Sequence, residues 1–177
     1  MRLFFLLGIV LYSCSNDPEA VKEFVTTENL PIEKIEGAEV LHTENGVLKV
    51  KILVTTINRF KDIHPQLVFS NGFEVVFYND SGSVKSVLIA TNAEVDEINN
   101  IMTASDNVVL TSSEGKKLET EELIWNEKKN KIYTNKKVII TTDKEVIIGE
   151  GFESNSTFSE YSISKIQGTF NFETPTD

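Results

Sequence analysis

The sequence predicts an all-β fold, an elongated antiparallel arrangement, on three observations. From Gly37 onward, apolar residues recur at period two, many of them β-branched or aromatic, which is the pattern of half-buried strands. Turn signals punctuate these runs at short intervals, the strongest being Asn45-Gly46. A weak internal repeat of about thirty residues links two segments of the second half, as stacked β units do. In it, Ile101-Met102-Thr103 followed by Asn107 to Thr111 resembles Ile132-Tyr133-Thr134 followed by Lys137 to Thr141. Apolar strands at Ala93 to Val95 and Leu123 to Trp125 precede the two copies at similar distances, so each copy reads as a three-strand rung. Chance similarity between Thr- and Val-rich strands is the other reading.

In chain order, Val40 to Val54 reads as a hairpin around Glu44-Asn45-Gly46. Phe73, Val75 and Phe77 alternate with Glu74 and Val76, and Asp80-Ser81-Gly82 turns the chain into a strand over Val84 to Ala90. Further strands are expected at Asn107 to Thr111, Leu123 to Trp125, Val138 to Thr141, Val146 to Ile148 and Ile166 to Phe172, with a turn at Ser113-Glu114-Gly115.

The N-terminus has a different character. Arg2 precedes an apolar run, Leu3 to Leu11, that is too short for a spanning helix, and Ser13 precedes Cys14, the chain's only cysteine. Leu11-Tyr12-Ser13-Cys14 resembles the bacterial lipobox. That resemblance implies a signal peptide over residues 1–13 and an acylated Cys14, whose several acyl chains anchor stably at about 0.8 kcal/mol per buried methylene. Residues 14–35, polar and acidic, read as a lipidated tether with at most one helical turn near Glu19 to Phe24. Residues 36–173 then form one β domain, and 174–177 a disordered tail.

Composition narrows the function classes. With 27 acidic and 17 basic residues the chain carries a formal charge of −10, one unit more negative once Arg2 is removed with the signal. Clustered Lys and Arg are what displace counterions from a phosphate backbone, so nucleic acid is not an expected partner. With Cys14 acylated, no thiol remains for a disulfide or metal site, and no metal or other cofactor is expected. His42 and His64 stand far apart, with no metalloprotease or nucleophile-elbow motif, and read as structural or exposed. Gly149-Glu150-Gly151 lacks the helix and lysine of a phosphate loop and reads as a bulge or tight bend. Glu150 and Glu153 as an acid–base pair would make a hydrolase. Solvated surface carboxylates are the plainer reading, and no enzyme is expected.

Over most of the mature chain the order of segments resembles the LptC family, the periplasmic component of lipopolysaccharide export. The resemblance is carried by Asn71 to Tyr78, Asn107 to Leu110 with Gly115 to Trp125, Ile132 to Asn135, Val138 to Ile140, Ile148 to Glu153, and Phe158 to Tyr161 leading to Ile166 to Phe170. It implies a β-jellyroll-like, partly open sandwich with an apolar groove. It also implies a non-catalytic protein that receives lipopolysaccharide from an inner-membrane ABC transporter and passes it to the bridge protein LptA. A lipobox replaces the transmembrane helix of better-known relatives. The family role implies the periplasmic side of the inner membrane, the outer membrane being the other destination open to a lipoprotein.

Inward strand positions would line the groove: Val75, Phe77, Val108, Leu110, Val138, Ile140, Ile147 and Phe152. Each also reads as a plain core residue, and a one-residue slip would exchange the faces. Open edges would join grooves end to end, since an unpaired strand templates another sheet. The last strand, with Ile166, Gly168, Phe170 and Phe172, would dock LptA, and Gly37, Val40 and Thr43 would meet the transporter's β domain. Alternatively the last strand simply closes the sandwich. A competing function is an envelope lipoprotein that binds glycans on exposed aromatics such as Trp125.

Overall fold

The computed structural model describes residues 30–61 and 63–171. Cys14, the apolar run before it, the helical turn near Glu19 and Phe172 lie outside the described residues. The described chain is all-β: β1 (Glu33–Glu44), β2 (Val47–Arg59), β3 (Leu67–Tyr78), β4 (Val84–Ala90), β5 (Asn92–Asp96), β6 (Ile101–Ser112), β7 (Lys117–Asn126), β8 (Lys131–Thr141), β9 (Glu145–Asn155) and β10 (Tyr161–Asn171). All pairs are antiparallel, and the order β1-β2-β3-β4-β6-β7-β8-β9-β10 is a meander in which each strand neighbours the next. β5 continues the line of β4, pairing with β3 and β6 below it.

The sheet becomes two layers because its ladders break along one line. Register shifts fall between Val54 and Thr56, Ser105 and Val108, Thr120 and Ile124, Thr134 and Lys137, and Ile166 and Gly168. On that line sit residues with left-handed backbone, among them Asn71 and Gly72 in β3 and Asp106 and Asn107 in β6. Asn, Asp and Gly tolerate this conformation best, and bulges built on them bend a strand sharply. Polar side chains bridge the break: Asn92 Nδ2 donates to Asp106 Oδ2 at 2.8 Å, Asn107 Nδ2 to Thr91 Oγ1 at 3.2 Å, and Thr120 Oγ1 to the Lys137 carbonyl at 2.8 Å.

One half of each long strand therefore faces the other half of its neighbours. Phe77, from the upper layer, meets Trp125 of the lower layer edge-on at 5.2 Å between ring centroids. Ser86 Oγ, fully buried in the upper layer, donates to the Ser156 carbonyl below at 2.6 Å. Between the layers lies a single apolar core running from Val50 to Phe158. This is the all-β, jellyroll-like sandwich that the sequence and its resemblance predict.

The repeat takes a different form from three-strand rungs. β6 and β8 are each one strand of the meander, and both carry buried alternate residues on either side of an exposed break, Met102, Ala104, Val108, Leu110 in one and Ile132, Thr134, Val138, Ile140 in the other. What recurs is the creased strand. β1 begins at Glu33, within the segment read as tether.

The turns follow their residues. Asn45 and Gly46, with φ of 49° and 79°, close the β1–β2 hairpin as the two-residue turn that matches strand twist. Asn79 organises the β3–β4 turn by accepting hydrogen bonds from the Ser81 and Ser83 amides at 3.1 and 2.8 Å. Gly149 and Gly151 are inside β9, where β10 crosses closely: a Cβ on Gly149 would stand 2.5 Å from Ile163 Cγ2 and 2.8 Å from the Lys165 carbonyl.

Candidate functional site

The two ends of the sandwich are finished differently. At the β10 end, Phe158 is fully buried, edge-on to Phe152 and tilted against Tyr161, while Phe152 and Tyr161 stack on each other, ring centroids 5.5–6.0 Å apart. This aromatic cluster plugs the space between the layers. At the β1 end the layers part, because β1 is an edge strand exposed along nearly its whole length.

There a cavity of about 580 Å³ opens between β1–β2 and the facing strands β3, β5, β6 and β7. Its apolar wall comes from Ala38, Val40, Val50 and Ile52 on one side and from Leu67, Phe69, Val95, Met102 and Trp125 on the other. Period-two alternation on β1 and β2 aims these residues inward together. The volume lies within the range of about 300–1,000 Å³ typical of small-molecule sites. A second cavity of about 420 Å³ adjoins it, sharing His42, Val50, Trp125 and Glu127, and is lined largely by polar residues including Glu44, Lys49, Asn79, Asp80 and Asn130.

Charged side chains ring the mouth. His42 Nε2 stands 3.5 Å from Glu127 Oε1 and 3.7 Å from Glu44 Oε1, linking the upper layer to the β7–β8 turn of the lower one. Asn100 Nδ2 donates to Glu127 Oε2 at 3.0 Å and holds that carboxylate in place. Lys49 and Asp80 form a hydrogen-bonded ion pair. That pairing raises the lysine pKa and holds the aspartate below its ordinary value. The Trp125 indole N–H is buried without a hydrogen-bond partner among the described residues.

The residues named as groove lining from sequence, Val75, Phe77, Val108, Leu110, Val138, Ile140, Ile147 and Phe152, all point inward and are at most 9 % exposed. They share one packed cluster, but of these only Phe77 reaches either cavity. The open wall is built from β1, β2 and the start of β3 with single residues of β5, β6 and β7, and of its residues the sequence singles out Val40, as an edge position, and Trp125, as a candidate glycan-binding aromatic. Gly37, Val40 and Thr43 are on β1 and Ile166, Gly168 and Phe170 on β10, the two outer strands of the sheet. Ile166 and Phe170 are 63 % and 61 % exposed.

The tempting chemistry does not assemble. Glu150 pairs with Lys165 and Glu153 with Lys131. Trp125 packs against Phe77 instead of forming an exposed platform. Among the described residues, no group of three or more His, Cys, Asp and Glu side chains could hold a metal ion, and no helix is long and apolar enough to cross a membrane.

An apolar chamber thus lies between creased layers, beside the edge strand β1. The family model described as "Lipopolysaccharide-assembly, LptC-related" matches residues 3–169. The chain belongs to the LptC family. As an LptC-family member it is a component of lipopolysaccharide transport, associated with the cell envelope. The comparison with curated proteins gives no match.

Proposed function

We propose that this LptC-family chain shelters lipopolysaccharide acyl chains in the cavity on its β1 side, taking them from an inner-membrane ABC transporter and releasing them to an LptA-like bridge protein. The observation that carries this reading is the 580 Å³ apolar cavity left open between β1–β2 and the opposite layer. Burying an acyl chain of about a dozen carbons is worth about 10 kcal/mol by the methylene increment, so a sealed chamber would retain its cargo. An open one lets chains slide between near-equal environments, with ATP hydrolysis by the transporter setting direction.

Acylated Cys14 would hold the domain on the periplasmic face of the inner membrane. β1, through Gly37, Val40 and Thr43, would pair with the transporter, and β10, through Ile166, Gly168, Phe170 and the adjoining Phe172, would pair with the bridge protein. Unpaired edge amides and carbonyls supply the means for both. Photocrosslinkers at Val40 and Ile52 in living cells test the proposal. An ATP-dependent lipopolysaccharide adduct at both positions is expected, and its absence at both would overturn the reading.

A further inference from the structure

We infer that the outer face of the upper layer is a surface on which two copies of this chain pack against each other, face to face about a two-fold axis. The inference goes beyond the lipid-sheltering reading and does not depend on it.

The cross-strand registers run straight across the upper layer, and residues paired directly share a face, so they form continuous rows. One row passes from Leu53 through Glu74 to Ile89 and Val109, then through Glu119 to Ile139 and Ile148. The next row, two residues along each strand, passes from Lys51 through Val76 and Val87 to Lys117 and on to Val146. Alternation sends the neighbours of these residues, such as Val75, Leu88, Leu110 and Ile140, into the core, so both rows face outward. Leu53 is 38 % and Ile89 48 % exposed. The outer face of the lower layer differs, its own row being interrupted by Asn58, Glu94, Thr103, Glu153 and Ser162. A sandwich ordinarily turns polar side chains outward, and an apolar band across one outer face marks an interaction surface.

The charges within the band indicate what covers it. Lys117 and Glu119 stand 3.0 Å apart on β7, one in each row. With the two-fold axis lying along the rows and between them, each strand crosses its own counterpart and each row covers the other. Lys117 then meets the second copy's Glu119, and Glu119 meets its Lys117. Lys51 comes to lie between the second copy's Glu39 and Glu74, while Ile89 and Ile148 settle on Val87 and Val146. Such self-complementarity is what an isologous contact requires. An axis along the strands, centred on β6, would instead lay Glu119 on Ile89 and strip water from an unpaired charge. A lipid surface is a poorer cover for the same reason, since Glu74 and Glu119 would be carried into it. Two rows over nine strands offer eighteen positions in each copy, close to the roughly 20–30 residues a side of a stable interface, so dissociation in about the micromolar range is expected. Stacking of faces leaves the backbone edges of β1 and β10 open.

Sedimentation equilibrium across the micromolar range tests the inference, using the full chain carrying Cys14→Ser so that no acylation interferes. The parent is expected to dimerise. Lys117→Glu and, separately, Glu119→Lys set like charges opposite each other twice in a dimer, and each should weaken association at least tenfold. Both side chains are 43 % exposed, so both variants should keep the parent's circular dichroism spectrum. An equimolar mixture of the two variants restores opposite charges at both contacts and should associate as the parent does. A parent that stays monomeric, variants that associate as tightly as the parent, or a folded mixture that fails to recover association would each overturn the face-to-face dimer.

Discussion

Exchanging Val40 for Asp and, separately, Leu110 for Ala should separate the wall of the cavity from the packed core. Val40 is 43 % exposed on an edge strand, so a carboxylate there keeps its water in the empty protein and costs folding roughly 0.5–1 kcal/mol. Leu110 is fully buried among other apolar side chains, and trimming such a leucine costs about 2–5 kcal/mol. At roughly 2–4 °C per kcal/mol for a domain of this size, Leu110→Ala should lower Tm by about 4–20 °C. Binding should respond in the reverse order. An acyl chain laid against the carboxylate introduced by Val40→Asp would strip water from an unpaired charge, a penalty of several kcal/mol, and weaken binding more than tenfold. Leu110→Ala leaves the wall untouched and should bind within about threefold of the parent below its melting point. Thermal unfolding by circular dichroism and amphiphile titration by Trp125 fluorescence measure the two effects. If the folded Leu110→Ala protein lost binding while Val40→Asp retained it, the division between core and cavity would be wrong.

The glycine at the β9–β10 crossing offers a second contrast. Gly149→Ala should destabilise the domain by about 1–3 kcal/mol, because its Cβ would overlap Ile163 and backbone. Gly168→Ala, with its nearest neighbour at 4.0 Å, should change stability by less than about 1 kcal/mol in the same denaturant series. Phe170→Asp is expected to leave the Tm within a few degrees yet weaken capture of an LptA-like partner; normal capture by the folded variant would remove β10 as the docking edge. Asp96 caps the β5–β6 turn, and hydrogen bonds from the Asn99 side chain, then its amide, hold the carboxyl below its usual pKa of 3.8. A lowered folded pKa stabilises the fold above the unfolded value and ceases to do so as pH falls through the folded one. The stability advantage of the parent over Asp96→Asn should therefore be present at pH 7 and shrink below about pH 4 in urea titrations.

The strand pattern was readable wherever one residue alternation ran unbroken. Val84–Ala90 and the Asn45-Gly46 turn appear where the sequence predicts them. Long strands came out short because the crease uses turn chemistry in mid-strand. The alternation is read from Phe73, yet β3 begins at Leu67 and runs through Asn71-Gly72, and Ile101-Met102-Thr103 and Asn107 to Thr111, read as separate strands of a rung, are the two halves of β6. Local residue types report the bent backbone and cannot say that both halves stay in one sheet. Alternation also selected inward side chains well, since all the positions named as lining are buried. It could not say where the layers part, because that depends on β1 sitting across from strands some sixty to ninety residues away in sequence, as Val40 does from Met102 and Trp125. Phe158 carries no such signal, being a buried aromatic with left-handed backbone in a turn.

The unequal ends of the sandwich bear on how such a domain handles cargo. If the Phe152, Phe158 and Tyr161 cluster were only core, Phe158→Ala would cost about 3–5 kcal/mol and do nothing else. Its position gives it a second consequence, because it stands between the interior and β10, the edge proposed to meet the next protein. On the proposed route an acyl chain entering at β1 would meet Phe77 against Trp125 and, beyond them, a packed interior. Through-passage to β10 would require those aromatics to move apart, whereas exchange at the β1 mouth requires only that chains slide out as they came in. A Phe158→Ala protein that stays folded at low temperature distinguishes the two routes. Faster transfer of a fluorescent acyl probe to an LptA-like acceptor would mark the β10 plug as a barrier on the path, and unchanged transfer would mean that cargo leaves by the mouth it entered.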